Sequence, residues 1–100
     1  MRAAILENLP GDLVIDEVTL TAPGPDEVLV HTAACGLCHS DLHVMENKLP
    51  MPPPVLLGHE AAGVVTAVGS DVTEFARGDH VVGCLNVHCN ACRQCTNGRT

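Results

Sequence analysis

The sequence is almost free of aromatic residues and poor in positive charge. Phe75 is the only aromatic side chain, and tryptophan and tyrosine are absent. A core must therefore be built from Val, Leu, Ile and Ala, and valine-rich segments favour strands. Five Lys and Arg stand against 12 Asp and Glu, which gives a formal net charge of −7. The lack of a basic patch predicts that neither nucleic acid nor an anionic membrane is a partner.

Long apolar runs are also missing. The run within Met1–Glu7 is too short for the apolar region of a secretory signal, and no other stretch has the length of a membrane span. The chain nevertheless has six cysteines. Without a secretory signal, they predict reduced thiols in the cytoplasm, where metal binding is commoner than disulfide formation.

Short valine-rich segments alternate with turns along the whole chain, whose length suits one small domain. Period and composition predict strands at 2–6, 13–20, 27–34, 61–69 and 80–84. A short helical turn is predicted at Cys38–Asp41, and prolines predict a loop at Met45–Pro54. About five or six short strands with little helix predict a mainly β fold, a small barrel with a cysteine lobe.

The connection from Cys38 to Glu60 begins and ends with groups that bind metals. It opens with the letters CHSD and closes with GHE. Zinc prefers thiolate and imidazole ligands, and a metal-bound histidine usually donates its second ring N–H to a carboxylate. We predict that Cys38 and His59 bind an open, catalytic zinc, with Asp41 and Glu60 as candidate carboxylates beside it. The alternative is a buried core cysteine and an unrelated loop histidine.

Three cysteines at equal spacing form a second cluster, Cys89, Cys92 and Cys95. Neighbouring sulfurs in such a tight loop can converge on one tetrahedral metal, so we predict a structural zinc that needs a fourth ligand. The bacterial iron–sulfur pattern requires a fourth cysteine followed by proline, where this chain has Arg99 and Thr100. Three free thiols are the alternative.

Two of the other cysteines are interpreted differently. Cys84 lies in a valine-rich strand segment and is predicted to be a small buried hydrophobic residue. Cys35 completes a Cys-x-x-Cys pattern with Cys38. That pattern alone fits a redox dithiol, but no thioredoxin-like βαβ pattern surrounds it. We expect Cys35 not to be a metal ligand.

Taken together, these segments resemble the zinc-dependent medium-chain alcohol dehydrogenases. The resemblance is carried by GLCHSDLH at 36–43, GHEAAGVV at 58–65, GDHV at 78–81 and the three-cysteine lobe. It implies that residues 1–100 are the amino-terminal part of the catalytic domain, a GroES-like β-barrel with short helical turns, ending within the structural-zinc lobe.

Several parts of the family pattern are absent from this sequence. The third catalytic ligand and the fourth structural ligand lie further downstream in the family, and no Gly-x-Gly-x-x-Gly motif of a nucleotide-binding Rossmann domain is present. The resemblance therefore implies an incomplete enzyme. We expect residues 1–100 by themselves to have no dehydrogenase activity. We also expect them to bind no zinc that is both tight and stoichiometric.

The resemblance also implies metal ligands residue by residue. Cys38 and His59 correspond to ligands of the catalytic zinc, and Glu60 to the carboxylate beside that metal. Asp41 corresponds to the partner of the zinc-bound histidine. Three ligands of the structural zinc are implied: Cys89, Cys92 and Cys95.

Three further residues correspond to positions that handle substrate and cofactor. Ser40 would hydrogen-bond the substrate alcohol, His43 would end a proton relay through the cofactor ribose, and His39 would face the cofactor pyrophosphate. The implied reaction is reversible oxidation of an alcohol to an aldehyde or ketone, with zinc polarising the substrate oxygen and hydride passing to NAD or NADP. The implied enzyme is a cytoplasmic homo-oligomer, a dimer or tetramer, whose partner is a small alcohol or aldehyde.

Two other functions remain open. A free-standing zinc-binding barrel would be an interaction module, by analogy with co-chaperonins, and a zinc-free relative would be a reductase. An interaction module has no need of Ser40, His43 and Glu60 around an open metal site. A zinc-free reductase has no need of Cys38, His59 or the cysteine lobe.

Overall fold

The computed structural model describes residues 1–89 and 91–99. The described elements are, in chain order, β1 (Arg2–Leu6), β2 (Leu13–Glu17), β3 (Val28–Gly36), α1 (His39–Met45), β4 (Val55–Leu56), β5 (Glu60–Val68), β6 (His80–Val82) and α2 (Arg93–Thr96). The predicted mainly β fold class is confirmed. The predicted cysteine lobe includes Asn90, and the predicted domain ends at Thr100; both residues lie outside the described part. Neither described helix combines the length and hydropathy that crossing a membrane requires.

The first sheet is built around β1, in the order β2-β1-β4. β1 pairs antiparallel with β2 from Arg2 opposite Glu17 to Leu6 opposite Leu13. Its other edge pairs antiparallel with β4, where Leu6 stands opposite Val55. The Leu6 side chain is completely buried, whereas Ile5, with the same two neighbouring strands, is half-buried.

The second sheet carries β3-β5-β6, all antiparallel neighbours. The long ladder between β3 and β5 has irregular register between Thr32 and Ala34, opposite the buried residue Gly63. A Cβ built at Gly63 would overlap the backbone carbonyl oxygen of His31. A glycine within a strand often marks a bulge or a close backbone approach, and Gly63 does so here.

The helix α1 is longer than the predicted helical turn. It extends from His39 to Met45 because apolar residues continue at helical spacing, and Val44 is buried against the rest of the fold. The helix ends just before Asn47, whose φ of 58° lies in the left-handed region that asparagine tolerates. The proline-rich loop therefore begins later than the sequence suggested.

The prediction that Cys84 is buried is wrong. The strand β6 ends at Val82, so Cys84 has left the ladder and is exposed. Its thiol lies 3.7 Å from the carbonyl oxygen of Asn86. The predicted strand extended to Cys84, but the valines end at Val82, which is also the last β6 residue paired with β5.

Candidate functional site

Cys38 and His59 meet because β3 and β5 end at the same edge of the sheet. The last ladder pair is Gly36 opposite Glu60. The end of β3, where the chain leaves the sheet, is therefore next to the start of β5, where the chain re-enters it. The Cys38 thiol, a ring nitrogen of His59 and a carboxylate oxygen of Glu60 all lie within 4.8 Å of one another. Cys38 and His59 are half-buried and Glu60 is exposed. Thiolate, imidazole and carboxylate are all zinc ligands in proteins, so this donor set fits a zinc ion.

Two glycines leave space around this cluster. A Cβ built at Gly36 would overlap the Glu60 carboxylate and lie 3.1 Å from the Glu60 Cβ. Gly58, with φ of 114°, has a conformation that favours glycine, and a Cβ there would lie 2.8 Å from the Cys35 sulfur. The sequence showed both glycines beside the predicted ligands, but not that the Glu60 side chain passes over Gly36.

A buried carboxylate, Asp41, links the helix start to His59. It is 4% exposed. Its Oδ2 accepts a hydrogen bond from the Cys38 N–H at 3.0 Å, and its Oδ1 lies 3.4 Å from Nδ1 of His59. The carboxylate thus fixes the cap of α1 and orients the imidazole, leaving Nε2 available for a metal.

The pKa values of Cys38 and His59 shift in opposite directions. Hydrogen bonds from the side chain and backbone of Ser40 lower the pKa of the Cys38 thiol, and His59 lowers it further. The hydrogen bond with Cys38 raises the pKa of His59, and the negative charge of Asp41 adds to this. A lowered thiol pKa favours the thiolate, which is the form that binds metals.

Replacing Asp41 with alanine is expected to destabilise the chain. The variant loses the acceptor for the Cys38 N–H at the start of α1, and a lost cap typically lowers the free energy of unfolding by about 1 kcal/mol. Denaturant unfolding measures this difference. The matched control is Asp12→Ala, at an exposed turn position. Equal unfolding midpoints for the two variants would show that the Asp41 carboxylate stabilises nothing.

His39 and His43 lie on the exposed side of α1, away from the Cys38–His59 cluster. Asp41 and Val44 on the same helix are buried, whereas both histidines are exposed. Their ring centroids are 4.6 Å apart in an edge-to-face arrangement. The structure therefore places the predicted cofactor and relay residues where a large ligand can reach them, with Ser40 half-buried beside Cys38.

The thiols of the cysteine lobe converge. The Cys92 and Cys95 sulfurs are 3.4 Å apart, and the Cys89 and Cys95 sulfurs 3.8 Å apart. The backbone N–H of Cys92 donates to the Cys89 sulfur at 3.4 Å, while α2 carries Cys95 back toward both. Three converging thiols fit a tetrahedral structural zinc with one further position.

The backbone of the lobe also activates a thiol. Backbone hydrogen bonds from Ala91 and Cys92 lower the pKa of Cys89 to about 7. The backbone of Cys95 likewise lowers the pKa of Cys92. Backbone N–H groups aimed at sulfur favour thiolates before any metal binds.

Alkylation of Cys89 in the metal-free chain is expected to be half-maximal near pH 7, because the pKa of Cys89 is lowered to about 7. Below that pH the thiol is protonated and reacts slowly; above it the thiolate dominates and the rate levels off. Quantifying the iodoacetamide-modified Cys89 peptide by mass spectrometry gives the profile. The denatured chain is the control, with a midpoint expected near the ordinary 9.0. Coinciding native and denatured profiles would contradict the effect of the folded lobe.

The fold and sequence can be compared with known proteins. The chain matches the alcohol dehydrogenase GroES-like domain over residues 24–100. An NDMA-dependent alcohol dehydrogenase of Amycolatopsis methanolica is 43% identical over 99 residues, which cover 99% of this chain and 27% of that protein. An NADP-dependent alcohol dehydrogenase C of Mycobacterium bovis is 47% identical over 83 residues, covering 81% of this chain and 24% of that protein.

The comparison with solved structures also finds alcohol dehydrogenases. A cobalt- and zinc-bound thermostable alcohol dehydrogenase from Pyrobaculum aerophilum has a TM-score of 0.88 and 37% identity, covering 100% of this chain and 31% of that chain. The chain thus covers 24% to 31% of the length of these relatives. The predicted GroES-like fold is confirmed, and the chain belongs to the alcohol dehydrogenase GroES-like domain family.

Proposed function

We propose that this chain forms part of the catalytic domain of a zinc-dependent alcohol dehydrogenase that uses NAD or NADP. The observation that carries the proposal is the approach of Cys38, His59 and Glu60 within 4.8 Å at paired strand ends, in a chain of this family. Relatives are named as alcohol dehydrogenases, one as NADP-dependent and one as zinc-bound. Their greater length supports a longer enzyme that includes a nucleotide-binding domain.

In the proposed site, Cys38 and His59 hold the zinc and Glu60 stands beside it. Bound there, a zinc ion would supply Lewis acidity toward an alcohol oxygen, and a nicotinamide cofactor would provide the hydride acceptor. Asp41 orients the His59 ring and anchors the Cys38 backbone, so both ligands are held before substrate arrives. This preorganisation keeps the geometry fixed during turnover.

The helix α1 supplies the groups that handle the substrate proton. Ser40 lies beside Cys38, and its hydroxyl can hydrogen-bond an alcohol and take its proton. His43 is exposed one turn further on, where an imidazole can pass a proton to water. His39, on the same exposed side, is proposed to face the cofactor pyrophosphate.

The cysteine lobe has a structural role in this proposal. Cys89, Cys92 and Cys95 hold a second zinc that stabilises the segment around α2. A small alcohol or aldehyde is the proposed substrate. A homo-oligomeric state stays a prediction from the family resemblance. A cytoplasmic location and the absence of a nucleic-acid or membrane partner stay predictions from the cysteine chemistry and the charge.

The test uses the full-length enzyme that carries this chain. Primary, secondary and aromatic alcohols are supplied with NAD or NADP, and the appearance of reduced nicotinamide is followed. We expect turnover that a chelator abolishes and zinc restores, and none from residues 1–100 alone. A full-length protein that binds zinc but shows no turnover with any pair would favour the interaction module, and turnover unaffected by complete zinc removal would favour the zinc-free reductase.

A further inference from the structure

The exposed face of α1 carries a histidine pair outside both cysteine-containing clusters. His39 and His43 are four positions apart, so their side chains stand one above the other on the same face of the helix. Their ring centroids are 4.6 Å apart and the ring planes are inclined by 61°. Both side chains are exposed, while Asp41 and Val44 bury the opposite face. Two histidines at this spacing on one helix are a known geometry for sharing a zinc ion.

The surroundings of the pair favour a cation. Glu46 lies one turn beyond His43, and its carboxylate is 2.7 Å from the Lys48 ammonium. The hydrogen bond from Lys48 lowers the pKa of Glu46, and the charges of His43 and His39 contribute less. Lys48 occupies this carboxylate, so Glu46 is not a third ligand, and the field that favours a cation comes from the chain as a whole. The net charge of −7 acts in the same direction.

We propose that His39 and His43 together chelate one divalent transition-metal ion on the surface of α1. The two imidazoles supply nitrogen ligands and water completes the coordination, a donor set that suits Zn²⁺, Ni²⁺ or Cu²⁺. With two protein ligands, the site binds more weakly than a complete site of four. Because the proposed function uses the same two imidazoles, zinc in excess would also inhibit turnover; that consequence rests on the proposed function, whereas metal binding does not.

The test is a Zn²⁺ titration of the 100-residue chain, followed through the ring resonances of its six histidines by NMR. We expect the rings of His39 and His43 to respond together with one shared midpoint. In His43→Ala, the midpoint of His39 is expected to rise about a hundredfold, because the second ligand no longer acts at high effective concentration. The reciprocal variant, His39→Ala, should raise the midpoint of His43 equally.

His31→Ala is the matched control, since this imidazole is also exposed but lies on β3. It should leave both midpoints unchanged. Backbone amide spectra check that each variant keeps the fold, and His43→Gln replaces His43→Ala if alanine perturbs the helix. Different midpoints for the two rings in the wild type, or an unchanged His39 midpoint in a folded His43 variant, would overturn the shared site.

Discussion

Replacing Cys38 with serine is expected to remove one zinc ion from the full-length enzyme and to abolish turnover. The hydroxyl of serine is a poor ligand in place of the thiolate that Ser40 and His59 favour at this position. Lewis-acid stabilisation is worth several kcal/mol, and each ~1.4 kcal/mol is a factor of ten in rate. We therefore expect kcat to fall by about a thousandfold or more, measured with the preferred alcohol alongside elemental analysis of zinc.

The control for this variant is Cys35→Ser. Cys35 is only three positions away, but its sulfur faces Gly58 and it is outside the cluster of possible ligands. Zinc content and kcat should remain those of the wild type. Loss of the catalytic zinc in Cys35→Ser with retention in Cys38→Ser would show that the wrong thiol of the Cys-x-x-Cys pattern was assigned.

Replacing Cys95 with serine is expected to have its largest effect on stability. The Cys95 sulfur lies 3.4 Å from that of Cys92 and 3.8 Å from that of Cys89, so its loss removes one of the three converging ligands. Structural zinc contributes binding free energies of about 10–16 kcal/mol in small zinc-binding peptides, and part of this is folding free energy. We expect one zinc to be lost and the free energy of unfolding to fall by several kcal/mol, measured by chemical denaturation.

The control for Cys95→Ser is Cys84→Ser, which removes an exposed thiol that is not in the three-thiol cluster. Cys84 is exposed and lies outside the three-thiol cluster. Its replacement should leave the zinc content and the unfolding midpoint unchanged. A Cys95→Ser enzyme that keeps both zinc ions and its stability would contradict the structural role of the lobe.

The candidate metal ligands could be recognised from the sequence because their residue types and spacing are local features. Three cysteines at fixed spacing converge through one turn and a short helix, whatever the rest of the fold does. The meeting of Cys38 with His59 needed one long-range fact, the antiparallel pairing of β3 with β5. The two valine-rich strands on either side of the connection were predicted from the sequence, but their pairing was not.

Other features depend on where pairing stops, which composition does not encode. The exposure of Cys84 follows from β6 ending at Val82, although its partner strand β5 continues to Glu60. The overlap between Glu60 and the space above Gly36 depends on their being the last ladder pair. A one-residue change of register would move each side chain to the other face of the sheet.

Zinc-edge X-ray absorption of the full-length enzyme compares the wild type with His59→Ala. With His59 and Cys38 as ligands of one zinc and the lobe thiols as ligands of another, the wild type should show nitrogen or oxygen ligands near 2.0 Å together with sulfur near 2.3 Å, both approximately. The His59→Ala enzyme should retain about half of the zinc, with an average shell richer in sulfur. An unchanged zinc content with an unchanged imidazole contribution would contradict the assignment of His59 to the catalytic metal.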